Sequence, residues 1–251
     1  MSGEIVTAAA LVIGNEILSG RTQDANLAYL GQQLGLLGIR LREARVVADV
    51  EADIVAAVNE LRARYDYVFT TGGIGPTHDD ITSDCVAKAF GVPLIRHPEA
   101  ERRLRAHYEP DKINEARLRM ANTPEGAALI DNPVSVAPGY RMENVFVLAG
   151  VPAIMRAMFD SLKGQLTGGA PVLAVTVPAY LAEGTIAKDL GALQDRYADI
   201  EIGSYPFFRL GRFGTSLVLR GTNQARLDRA AEELRQLVRT LGAEPLDREP
   251  D

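Results

Sequence analysis

The 251-residue chain is short of several features, and each shortage excludes something. Cys85 is its single cysteine, so no intrachain disulfide can form, as expected of a protein from a reducing compartment. No second cysteine or histidine cluster stands near it, and Cys85 reads as a core residue of a helix rather than as a nucleophile. There are only three histidines; His97 and His107 lack partners at zinc-ligand spacing, and no structural zinc site is expected. No uninterrupted apolar stretch approaches the length of a membrane span. Met1-Ser2-Gly3-Glu4 lacks the basic region and apolar core of a secretory signal, so a cytoplasmic location is expected, with no membrane partner. Basic charge is also lacking. A net charge of −6 argues against a general nucleic-acid binder, but not against a small anion held by local backbone donors. No internal repeat or low-complexity tract is visible.

What is present is ordinary for a soluble globular protein: 47% hydrophobic and 24% charged residues, enough to bury a substantial core. Thr7 to Ile13 is a continuous apolar run, as in a strand covered on both faces. Asp24 can cap a helix carrying Leu27, Leu30, Leu34 and Leu37 at spacings of three and four, closed by Gly38. Ile39 to Val47 reads as a second strand, and Ile54, Val55, Val58 and Leu61 mark a second helix. Tyr67 to Thr70 reads as a third strand. This alternation predicts a mostly parallel, right-handed α/β sheet. Residues 98–120 are charged and mostly helical in composition. Their arginines, Arg102, Arg103, Arg105, Arg117 and Arg119, read as a solvated face, or else as groups reaching a phosphate or a partner subunit. Asn132 to Gly139 reads as a loop and Asn144 to Leu148 as a strand. The apolar stripe Ile154, Met155, Met158, Phe159 and Leu162 then reads as a core helix, not a cofactor box.

Thr167-Gly168-Gly169-Ala170-Pro171 reads as a linker. Two domains are therefore expected, residues 1–168 and 169–251. In the second, strands at 172–177, 200–204 and 216–220 and helices marked by Ile186, Leu190, Leu193 and Tyr197, and by Leu227, Ala231, Leu234, Val238 and Leu241, give the order βαββα of a small α+β sandwich. Asp247 to Asp251 are expected to fray.

The stretch most informative about function is Thr70-Thr71-Gly72-Gly73-Ile74-Gly75-Pro76-Thr77-His78-Asp79-Asp80-Ile81-Thr82. It lies between the third strand and a segment where Val86, Ala89 and Phe90 share a helical face. A glycine-rich turn at a helix N-terminus is a natural anion site, because the backbone can come close and free N–H groups point at the ligand. Asp79 and Asp80 sit in the same turn. Carboxylates repel phosphate unless a cation lies between them, which suggests a Mg²⁺-like ion bridging the two. The plainer reading is a common strand-to-helix turn with Asp80 as the helix cap.

Five stretches then converge on a family: Ile13 through Gly20, Asp24-Ala25-Asn26, Asp49, Gly72 through Thr82, and Ala137-Pro138-Gly139 with Gly150-Val151-Pro152. In order and spacing they resemble the molybdopterin-binding-fold family, in particular its CinA-like branch, which is similar to the molybdopterin-binding-like domain of FAD synthase. The resemblance covers residues 5–165. Residues 170–245, with Glu183-Gly184-Thr185 and Ile202-Gly203-Ser204-Tyr205-Pro206, resemble the small domain that follows in that branch. It implies a three-layer α/β/α domain, a homo-oligomer (dimer or trimer), and a small phosphorylated ligand, nucleotide or pterin, at the glycine turn.

The activity implied for the branch is metal-dependent cleavage of a dinucleotide pyrophosphate such as ADP-ribose or FAD, with Mg²⁺, Mn²⁺ or Co²⁺; in the molybdenum-cofactor branch it is adenylation of molybdopterin. The chain departs from the family pattern at Asn15, often Asp or Thr, at Ser135, usually Gly, and at Ala149 and Ile154, typically Pro and Glu. Ile154 removes a carboxylate and supports a third reading, a non-catalytic nucleotide-binding or scaffold protein. Full-length CinA and FAD synthase continue into further catalytic domains, whose activities are not expected here.

The candidate site residues follow. Asp80 is the first expected metal ligand, with N-capping as the other reading. Asp49 follows a strand, where loops at carboxyl ends line the ligand crevice of open α/β sheets, and is the second ligand unless it merely caps the next helix. Glu16, past the first strand at the same edge, is the third catalytic candidate, as metal ligand or as base. Ligand or phosphate contacts are expected from Gly72, Gly73, Gly75, Pro76, Thr77 and Asp79, from Asn26, and from Gly139, Gly150 and Pro152 by family position. Thr71 and Thr82 are expected to hydrogen-bond within the turn. His78 is expected to be exposed.

Overall fold

A computed structural model describes residues 5–249. The expectations for Met1–Glu4 and for Pro250 and Asp251 lie outside the described residues. The chain divides into two compact units between Gly169 and Ala170.

The first unit contains, in chain order, β1 Val6–Ile13, α1 Asn15–Leu18, α2 Asn26–Leu36, β2 Ile39–Val47, α3 Glu51–Arg64, β3 Tyr67–Thr71, α4 Thr82–Phe90, β4 Leu94–Arg96, α5 Pro98–His107 and α6 Glu115–Leu118. After a 3-10 turn, Arg119–Ala121, come β5 Asn122–Pro124, β6 Ala128–Ile130, β7 Gly139–Met142, β8 Val145–Leu148 and α7 Pro152–Leu162. The main sheet has the order β2-β1-β3-β8-β7-β6. Its first four strands are parallel; β7 and β6 add an antiparallel edge.

The apolar run of β1 shows why the domain has three layers. Successive side chains point to opposite faces of a strand. Ala9, Leu11 and Ile13 pack with Ile54, Val58 and Leu61 of α3 and with Cys85 and Val86 of α4. Ala8 and Ala10 pack on the other side with Leu30 and Leu34 of α2 and with Met155, Phe159 and Leu162 of α7. The leucine spacing of α2 thus does what it predicts, and Asp24 accepts the Leu27 N–H at 2.8 Å.

From β1 the chain crosses to β2 on one side and from β2 returns to β3 on the other, so β1 and β3 are neighbours whose outgoing loops diverge. Open α/β sheets form their ligand crevice at such a switch point. Gly72 at the end of β3 is needed there: its φ is +104°, and a Cβ would lie 2.2 Å from the Ile13 carbonyl oxygen. The helical character expected over 98–120 is interrupted between α5 and α6. Pro110 lies in that break, and Asn114 starts a new turn by accepting the Arg117 N–H at 2.9 Å.

The second unit follows the βαββα order: β9 Leu173–Ala179, α8 Glu183–Arg196, β10 Glu201–Arg209, β11 Arg212–Gly221 and α9 Gln224–Thr240. The antiparallel sheet β10-β11-β9 packs Val177, Leu217 and Leu219 against Ile186, Leu193, Leu227 and Leu234 of its two helices. The hairpin is longer than its hydrophobic pattern suggests, because Leu210 and Gly211, both at positive φ, close it tightly. The fraying expected from Asp247 is not seen as far as Glu249: Leu246 N–H donates to Pro178 O at 2.7 Å, and the Ser216 hydroxyl donates to Glu249 at 2.8 Å.

No described helix is long and apolar enough to cross a membrane. Cys85 is buried, and burial pushes its thiol up to about 11. We expect a thiol alkylating reagent at pH 8 to leave Cys85 untouched in the folded protein and to modify it in urea. We also expect Gly72→Ala to lose more than about 1 kcal/mol in urea unfolding, from its left-handed backbone and the clash together. Gly164→Ala, where nothing lies within 4 Å, should change little.

Candidate functional site

The carboxyl ends of β1, β2, β3 and β8 surround one cleft of about 560 Å³. Eleven of the residues singled out from the sequence line it: Glu16, Asp49, Gly72, Gly73, Gly75, Pro76, Thr77, Asp79, Asp80, Gly150 and Pro152. They come from four separate loops, which the parallel strands bring to one edge.

The glycine turn is braced from within. The Thr77 N–H and hydroxyl both donate to Asp80 Oδ2, at 2.8 and 2.5 Å. Gly75 has no room for a side chain there, since a Cβ would come within 2.6 Å of that same oxygen. Asp80 therefore folds back over the turn and does not cap α4, whose N-cap is Ile81 without a side-chain bond. The neighbouring Thr77 hydroxyl and the backbone N–H of Asp79 hold the Asp79 carboxyl below the ordinary aspartate range. His78 is exposed, as expected.

Asp49 does not cap α3 either. Its Oδ2 accepts the Asn15 N–H at 2.9 Å, which ties the loop after β2 to the loop after β1. Glu16 folds its carboxylate back over Gly14, where a Cβ would lie within 2.5–2.8 Å of the carboxyl atoms. Thr82 behaves as expected and donates to Gly72 O at 3.0 Å. Thr71 does not: its hydroxyl is buried without a hydrogen-bond partner among the described residues.

Two candidates stand apart from the cleft. Asn26 is buried, donates to Gly150 O at 2.8 Å, and lines a smaller recess of about 50 Å³ beside the cleft. Gly139 opens β7 within the sheet, where a Cβ would meet Val147 O at 2.5 Å, so its role is packing. Sequence reasoning passed over the loop Asn132–Pro138 as a wall of the cleft. Asn132 organises it, donating to the Ser135 hydroxyl and to Ala137 O, both at 2.7 Å. Met158 is both core and cleft lining, a double role that helical spacing alone does not reveal.

The cleft is lined by four carboxylates, Glu16, Asp49, Asp79 and Asp80, and by no cationic side chain among the described residues. Ile74, Val151, Ile154 and Met158 add apolar side chains to the lining. The arrangement suits a ligand with a flat apolar part and an anionic part that brings a cation with it.

Comparison with known proteins agrees with this geometry. Residues 9–168 match the family model described as a probable molybdopterin binding domain, and residues 171–245 match the FAD synthase middle domain. A protein of Pyrobaculum calidifontis is 42% identical over 160 residues, 61% of this chain and 61% of that protein's own length. The probable FAD synthase of Caenorhabditis elegans is 33% identical over 258 residues, 92% of this chain but 50% of the relative. Among solved structures, the protein CinA, of unknown function, from Thermoplasma acidophilum has a TM-score of 0.60 at 34% identity, covering 63% of this chain and 96% of that one. The parallel sheet, the glycine turn and these matches together place the chain in the molybdopterin-binding-domain family, in its CinA-like branch.

Proposed function

We propose that the chain is a metal-dependent hydrolase of nucleotide pyrophosphates, with ADP-ribose or an FAD-like dinucleotide as substrate. The observation that supports this reading is the cleft itself: a glycine turn suited to phosphate, lined by four carboxylates and no cation. A diphosphate enters such a site only with a divalent ion.

The residues present fit that ion. No group of three or more His, Cys, Asp or Glu among the described residues forms a ready cage. Mg²⁺-type ions are commonly held by one or two carboxylates plus substrate oxygens, and Asp80 and Asp49 are the proposed ligands. The donors from Thr77 and from Asn15 fall on Oδ2 of each, leaving Oδ1 for an ion. When bound, the ion would neutralise the diphosphate and make water a better nucleophile. The N–H groups of the Gly73–Gly75 turn hold the phosphate oxygens as negative charge develops on them. Glu16, at the cleft edge, takes the proton of the attacking water. Water oxygen bonds to phosphorus, the bridging P–O bond breaks, and ADP-ribose gives AMP and ribose phosphate.

A second reading, binding or adenylation of molybdopterin, is favoured by the family model's own description and by the apolar part of the lining, which suits a pterin ring. A third, nucleotide binding without catalysis, is favoured by Ile154 standing in the cleft where relatives typically carry Glu. The proposed assembly is a dimer or trimer in the cytoplasm.

Products from purified protein incubated with ADP-ribose or FAD, with and without Mg²⁺, Mn²⁺ or Co²⁺, distinguish these readings. Metal-dependent AMP release is expected; no product with any ion overturns the hydrolase and turns attention to bound pterin. Asp80→Asn keeps an acceptor for Thr77 but removes the charge. It should cut turnover by about 10²-fold or more, the scale of losing one transition-state electrostatic contact, with unchanged thermal unfolding. Wild-type turnover in that variant sinks the metal assignment.

A further inference from the structure

Behind the glycine turn lies a recess of about 20 Å³ that shares Ile74, Gly75, Asp80 and Met120 with the cleft. Arg119 lines it, and among the described residues lining the cleft and its two side recesses it is the sole cation. It differs from its neighbours in the 98–120 segment. Arg102 and Arg103 bind Glu99, Arg105 binds Glu101, and Arg117 covers the Tyr108 ring at 4.4 Å. Arg119 is half-buried, and its guanidinium makes no hydrogen bond, ion pair or ring contact with a described residue, although Asp80 and Asp84 line the same recess. A guanidinium without a partner keeps its five donors for an anion. A second polar group lines the recess: the Tyr140 side chain is 1% exposed, with its hydroxyl beside Ser83. Burial pushes that hydroxyl's pKa up, so it remains a donor.

We propose that Arg119 is the protein's own counter-charge to the ligand: its guanidinium takes oxygens of the diphosphate seated on the Gly75–Thr77 turn. The proposal rests on the pyrophosphate reading of the cleft. A guanidinium suits the task because its planar fork matches two phosphate oxygens at once. Met120, the next residue of the same 3-10 turn, already lines the cleft, so Arg119 is one residue from the ligand space.

Calorimetric titration of wild type, Arg119→Ala and Arg119→Lys with Mg²⁺ pyrophosphate and with Mg²⁺ ADP-ribose tests this. The alanine variant should raise Kd for both about 10- to 100-fold, the range for losing a charged hydrogen bond, and the lysine variant should fall between it and wild type. Lysine keeps charge and length, so it carries the test if alanine fails to fold. Equal affinities in all three proteins overturn the proposal, as does wild type that binds neither probe. AMP release, measured on the same samples, reads the hydrolase separately. Arg119-dependent binding without product sinks the hydrolase and leaves this inference standing.

Discussion

The close approach of three backbone segments at the switch point is the constraint on which the rest of the first unit depends. Gly72 at the end of β3 lies against the Ile13 carbonyl at the end of β1, and its N–H donates to Leu148 O at the end of β8. A Cβ on Gly150 would come within 3.2 Å of Gly72. Because these strand ends are drawn together without side chains, their loops open outward from one place and leave a cleft between them. Thr82 secures the arrangement from the helix side by bonding Gly72 O and, through its N–H, Gly73 O. Only small residues permit this geometry, and the pocket is its consequence.

Charge is the second organising fact. The cleft is lined by four carboxylates together with apolar side chains. Each acid with a bonded carboxylate serves the loops as well: Asp80 braces the glycine turn through Thr77, and Asp49 joins two βα loops through Asn15. Neither caps a helix, although each stands one residue before an N-cap. The excess of acids accounts for a site expected to take its anion together with a cation, and for the interest of the one guanidinium nearby.

The comparisons and the structure inform different levels of this account. The matches to a molybdopterin binding domain and to the FAD synthase middle domain speak to family and fold. The matched stretch spans 61% of the Pyrobaculum protein and 50% of the FAD synthase, so what those whole proteins do is a matter for experiment here. The cleft speaks to chemistry through its glycine turn and four carboxylates, with no cationic side chain lining it among the described residues.

Local pattern determined much of this protein. The apolar run of β1, the leucine spacing of α2 and the Gly72–Thr82 string each carry their structure in neighbouring residues, so strands, helices and the glycine turn were legible from the chain alone. The β10–β11 hairpin was partly hidden, because its tight Leu210-Gly211 turn lies outside any alternation of apolar residues. What tertiary structure alone decided was convergence and direction. It brought Glu16, Asp49 and Asp80 to one cleft, turned Asp49 and Asp80 away from capping, drew Asn132 into the wall, and set Gly139 against the Val147 carbonyl. It also separated Arg119 from four other arginines of identical local character. Sequence spacing fixes which face of a strand or helix a residue occupies. Which carboxylate meets which donor across residues far apart in the chain depends on sheet order and on the few glycines that let strand ends touch.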